Sequence, residues 1–89
     1  MNILVTLGLR KRLNMKIKLT DHAHARLIGR DIDIGMAKQV ITSPNWKKRQ
    51  DNGTMLAHKD FGDGRIMEVV YIEKAKYNLI ITFYYSNEN

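Results

Sequence analysis

The sequence contains no cysteine and a single proline, Pro44, in 89 residues. Without cysteine there is no disulfide, no thiolate nucleophile and no cysteine-ligated zinc, a pattern that suits a reducing compartment. Long apolar runs are also missing. The longest near the N-terminus, "ILVTLGL" from Ile3 to Leu9, is far short of the roughly 20 residues that a membrane-spanning helix needs. A secretory signal places its cations before the apolar region, whereas Arg10, Lys11 and Arg12 follow this one and no small-residue cleavage site comes after it. The expectation is a cytoplasmic protein with no membrane contact. Low-complexity tracts and internal repeats are absent too, so neither a disordered linker nor a solenoid is expected.

What is present fits one small folded unit. Hydrophobic residues make up 44% and charged residues 27% of the chain, ordinary values for a domain with one core. Fifteen Lys and Arg stand against nine Asp and Glu, a formal charge of +6. Such an excess favours polyanionic partners, namely RNA, DNA or an acidic protein, although solubility alone would also account for it.

Periodicity organises the chain from Met15 onward. "KIKL" alternates charged and apolar residues as a short half-buried strand does. Thr20 or Asp21 then supplies an N-cap oxygen, and a helix should run to about Gly29 or Arg30. A second helix is expected from the N-cap Asp33, with Met36, Ala37, Val40 and Ile41 on one face, ending at "TSP" because Pro44 cannot continue it. After that come strand signals: "NWKKRQ" and "TMLAHKDF" around the turn "DNG", then "RIMEVVYIE" after "GDG", then "LIITFYY". The last two are the most apolar and β-branched and should be central. The expected fold class is α+β: a strand, two helices, then a four-stranded mainly antiparallel sheet with the helices on one face. Residues 15–86 form the domain, 1–14 an extension that is either an edge strand at Ile3 to Leu9 or frayed, and 87–89 a tail. Met15 is an alternative natural start.

The stretch "DHAHARLIGRDI", Asp21 to Ile32, carries the first candidate chemistry. Steps of four on a helix put His22, Arg26 and Arg30 in one row and send His24 to another face. The positive helix terminus and Arg26 both disfavour an imidazolium at His22, leaving the neutral form that a general base needs. Arginines beside it would grip a phosphate and stabilise charge developing on it, enough for RNA cleavage without a metal. The same row also reads as an ordinary solvated helix face. His22 and His24 diverge, and His58 has no evident carboxylate partner, so no metal site and no cofactor are expected.

Trp46 beside Lys47, Lys48 and Arg49 is the second candidate: a ring to stack a base next to phosphate-seeking cations, or else a core tryptophan at the start of a lysine-protected edge strand. In the final strand, Leu79, Ile81, Phe83 and Tyr85 should face the core. Thr82 and Tyr84 fall on the opposite face, where Tyr84 is a candidate to position a phosphate. The "FGDG" turn with Asp60 and Asp63 lacks the ordered oxygen ligands of a calcium loop.

"HAHARLIGRDID" resembles the pattern H-a-x-x-R-[LM]-x-x-R-x-I-[S/D] that opens a family of small, uncharacterised bacterial domains. The likeness extends through the helix ending near "SP", the hairpin, Val69-Val70 and Ile81-Thr82-Phe83-Tyr84, about Met15 to Tyr85 in all. That family is similar in fold to the RelE/ParE-like toxins and related small ribonucleases, which order a strand, two helices and an antiparallel sheet. The resemblance implies a RelE-like, toxin-type protein, marks His22, Arg26 and Arg30 with Thr82 and Tyr84 behind them, and leaves His24 on a variable position. It also implies an acidic, antitoxin-like partner. The better-known toxins place their catalytic residues mainly on the sheet and the C-terminal segment. Three activities follow as expectations: RNA binding with metal-independent endoribonuclease action, a non-catalytic module holding nucleic acid or an acidic protein, or poisoning of a protein target in the ParE manner.

Overall fold

The structure, a computed structural model, describes residues 16–29 and 32–86. The expected strand at Ile3 to Leu9, the tail and Arg30 lie outside the described residues. The order is β1 (Ile17–Leu19), α1 (Asp21–Gly29), α2 (Ile34–Thr42), β2 (Trp46–Arg49), β3 (Met55–Asp60), β4 (Ile66–Glu73) and β5 (Asn78–Tyr85).

Each boundary has a local cause. Thr20 caps α1: its Oγ1 accepts from Ala23 N at 3.1 Å and its carbonyl from His24 N at 2.9 Å. Asp33 caps α2 by accepting from Gly35 N at 3.0 Å, which satisfies an amide the helix itself cannot. Ser43 N–H closes the end of α2 on the Gln39 carbonyl, and Pro44 follows. Gly53 has φ of 86° in the β2–β3 turn, a region where an added Cβ is strained.

The sheet is five-stranded in the order β1-β5-β4-β3-β2. This corrects the expected four-stranded sheet. β1 joins it parallel to β5, with Ile17 opposite Asn78 and Leu19 opposite Ile80, while every other pair is antiparallel. Ile17 and Leu19 pack against the core from this position, so docking on β5 covers the apolar stripe of a strand too short to stand alone. The expectation for β4 and β5 holds, since both are interior strands.

Both helices pack on one face, α1 against β5 and α2 against β3 and β4. Ala23, Ala37, Val40 and Ile41 from the helices meet Met55, Ala57, Met67, Val69, Tyr71, Ile80 and Phe83 from the sheet. Burial of a side chain such as Phe83 contributes about 1.5–3 kcal/mol. The core face of β5 departs from simple alternation. Ile80 and Phe83 are fully buried, whereas Leu79 and Ile81, both expected inside, are only half-buried. The cause is a bulge. Tyr71 pairs with Ile80 and Val70 with Thr82, leaving Ile81 as an extra residue. One inserted residue exchanges the two faces for everything before it.

Candidate nucleic-acid interface

Among the described residues the other face of the sheet carries no helix, and the strand registers assemble a row of polar and aromatic side chains across it. Trp46 on β2 pairs with His58 on β3, His58 with Glu68 on β4, and Glu68 with Tyr84 on β5. Residues directly opposite on neighbouring strands have side chains in contact. All three contacts are made. The Trp46 and His58 rings stack with centroids 4.7 Å apart and planes 10° from parallel. His58 Nδ1 lies 2.8 Å from Glu68 Oε2, and Tyr84 Oη donates to Glu68 Oε1 at 2.9 Å.

The chemistry of this row follows from the carboxylate. Ionised Glu68 can only accept, so Nδ1 of His58 carries the hydrogen and a neutral imidazole keeps its lone pair on Nε2. A histidine oriented in this way by a carboxylate is a competent proton acceptor. Burial first, and then the hydrogen bond and charge of Glu68, raise the Tyr84 pKa above its ordinary 10.0, so its hydroxyl stays protonated near neutrality. Glu68 is the residue that sequence reasoning missed, and it corrects the expectation that His58 has no carboxylate partner. Their pairing was encoded in the two hairpin registers, because the turns around Gly53 and Gly62–Gly64 fix which residues of β2, β3 and β4 stand opposite.

The expected helix row sits at the edge of this face. Among the described residues β1 pairs with β5 only as far as Leu19 opposite Ile80, and beyond that point α1 packs against β5. Arg26 Nε donates to the Phe83 carbonyl at 2.7 Å, and His22 Nε2 is 3.2 Å from Thr82 Oγ1. His22 is exposed and Arg26 half-buried. Thr82 and Tyr84 are two residues apart on one face, roughly 7 Å along the strand, so His22 and the Glu68 centre border the same surface. His24 is exposed elsewhere on α1.

Trp46, Lys47, Lys48 and Arg49 are all exposed on the edge strand, but they divide between its two sides. Trp46 and Lys48 stand opposite His58 and Leu56 on the helix-free face, with Lys48 Nζ 6.0 Å from the indole centroid. Lys47 and Arg49 stand opposite the buried Ala57 and Met55, on the helix side, and Arg49 approaches Glu73 at 3.9 Å. Trp46 is 43% exposed, so it is no core residue.

A cavity of about 560 Å³ opens on the helix side, lined by Leu27, Ile28, Ile32, Asp33, Met36 and Arg65. None of the expected site residues that lie among the described residues lines it. Among the described residues no group of three His, Asp or Glu could hold a metal ion, and no helix is long and apolar enough to cross a membrane. Family models, curated proteins and solved structures offer no match to this chain.

Proposed function

We propose that the protein binds RNA across the helix-free face of its sheet and cleaves it without a metal ion, as a small ribonuclease of the RelE-like toxin type. The observation that carries this reading is the continuous row Trp46–His58–Glu68–Tyr84, which joins an exposed stacking ring to a half-buried, oriented proton acceptor in a basic protein. In the reaction the ribose 2′-oxygen forms a bond to the adjacent phosphorus and the bond from phosphorus to the 5′-oxygen breaks, leaving a cyclic phosphate. His58 Nε2 takes the 2′-hydroxyl proton, and the departing 5′-oxygen takes one from water at the open face. Tyr84 and Glu68 hold the imidazole in place.

His22 and Arg26 then serve the path of the strand rather than the bond that breaks. Arg26 already donates Nε to the backbone and His22 already meets Thr82, which suits a row that grips phosphate at the sheet edge. Lys48 supplies a cation next to the stack. On this reading the acidic partner expected of a toxin-type protein would cover the same face, competing with RNA for its charge.

The test uses labelled RNA in the presence of a chelator. Wild-type protein should cleave, His58→Ala should lose cleavage but keep salt-dependent binding, and His22→Ala and Arg26→Ala should weaken binding. Cleavage that survives His58→Ala overturns the assignment. Salt-dependent binding with no cleavage by the wild type identifies the alternative, a non-catalytic nucleic-acid module that uses the same face.

A further inference from the structure

We infer that the RNA taken by this face is single-stranded, and that one unpaired base lies on the outer face of the Trp46 indole. The inference rests on the RNA-binding reading and adds to it the form of the substrate.

Trp46 lies on β2, and β2 is an edge strand. Its indole stacks on His58, which belongs to the neighbouring strand on the inner side. The stack therefore runs across the strands, and the second face of the indole turns away from the sheet, where no further strand stands among the described residues. That face accounts for an exposure of 43% in a residue whose inner face is covered. An indole face turned outward beside the ammonium of Lys48 matches a nucleotide, which supplies both a flat ring to stack and a charged backbone.

The platform is also rigid. His58 is fixed by Glu68, and Glu68 is fixed on its other oxygen by Tyr84. Four strands thus hold the stack before any ligand arrives, so a base that lands on Trp46 need not order the rings beneath it. Lys48 Nζ stands 6.0 Å from the indole centroid, within reach of a phosphate flanking a stacked base. A duplex cannot use this arrangement. Both faces of each base in a helix are already covered by its neighbours, and only unpaired bases splay out to stack on an aromatic side chain.

Trp46 is the only tryptophan in the chain, so its fluorescence reports on this one position. The intact protein is titrated with a single-stranded oligoribonucleotide and, separately, with the same oligonucleotide annealed to its complement, and affinities are measured in parallel by gel mobility shift. The single strand should quench the fluorescence and bind more tightly than the duplex. Trp46→Ala should weaken single-strand binding by roughly 10- to 100-fold while leaving duplex binding unchanged, and Trp46→Phe should retain most of the affinity. Duplex binding as tight as single-strand binding, or a single-strand affinity indifferent to Trp46→Ala, overturns the inference and leaves RNA binding itself standing. Absence of binding to both forms overturns the two readings together.

Discussion

Thr20 Oγ1 donates a hydrogen bond to the carbonyl of Ile81 at 3.0 Å, and Ile81 is the residue that the bulge leaves without a partner on β4. The same hydroxyl accepts from Ala23 N to start α1, and Thr20 N donates to the Ile80 carbonyl. One threonine thus ends β1, caps the helix and holds the irregular turn of β5. Replacing it should cost more than an ordinary cap. Thr20→Ala is expected to lower stability by about 2 kcal/mol, combining an N-cap with a tertiary hydrogen bond, and Thr20→Ser should restore most of it. Urea denaturation followed by circular dichroism measures both.

Arg26 divides the meaning of its row. Its Nε bond to the Phe83 carbonyl covers the edge of β5 that β1 leaves open. Arg26→Ala should therefore destabilise the fold by about 1.5–3 kcal/mol, the worth of a hydrogen bond to a charged group. Arg26→Lys should not recover it, since lysine has no donor at the Nε position. His22→Ala, at an exposed site, should change stability by less than about 0.5 kcal/mol. Equal thermal midpoints for Arg26→Ala and wild type would remove the edge-covering role.

Glu68 is predicted to act only through its neighbours. In Glu68→Gln one of the two donors, Tyr84 Oη or His58 Nδ1, faces an amide NH₂ in place of an oxygen. If His58 is the base, its removal should slow RNA cleavage by about 10²- to 10⁴-fold. The pair should then be non-additive: the double variant His58→Ala/Glu68→Gln should cleave no more slowly than His58→Ala alone. Rates that multiply instead would mean that the two residues act independently.

Alkaline stability should depend on two tyrosines. Burial, then the charge of Glu73, raises the Tyr71 pKa above 10.0, and Tyr84 is raised by burial and Glu68. In both cases the folded pKa exceeds the unfolded one. Their contribution is therefore fully present below about pH 10 and is lost as the pH rises through the folded values, because the unfolded chain gives up these protons first. Tyr71 Oη is also buried with no hydrogen-bond partner among the described residues. Tyr71→Phe should raise stability at neutral pH by up to about 1 kcal/mol and move the alkaline unfolding midpoint upward, both read from pH-dependent thermal melts.

Much of the fold was legible because it is local. The N-cap at Asp33, the stop at Pro44, the Asn52-Gly53 turn and the strands β3 and β4 each depend on a few neighbouring residues, and each stands where the local signals predict. β1 was legible as a strand but not as a fifth member of the sheet, since three alternating residues say nothing about which edge will accept them. The expectation for the interior of β5 fails at Leu79 and Ile81, because a run of apolar and β-branched residues carries no sign of a bulge. The row His22–Arg26 was legible on the helix, yet its partners Thr82 and Phe83 lie 60 and 57 positions away.

The sequence by itself determined that this is a basic, cysteine-free α+β chain with two short helices and a set of hairpin strands, because composition, caps and period are properties of neighbouring residues. Tertiary structure alone decided that Trp46, His58, Glu68 and Tyr84 form one row. Each side chain stands on a different strand, and only the registers set by the turns and the bulge bring them within hydrogen-bonding and stacking distance. It also decided that Lys48 shares the side of Trp46 while Lys47 and Arg49 do not, since a strand sends successive side chains to opposite faces and only packing against the helices establishes which face is the open one.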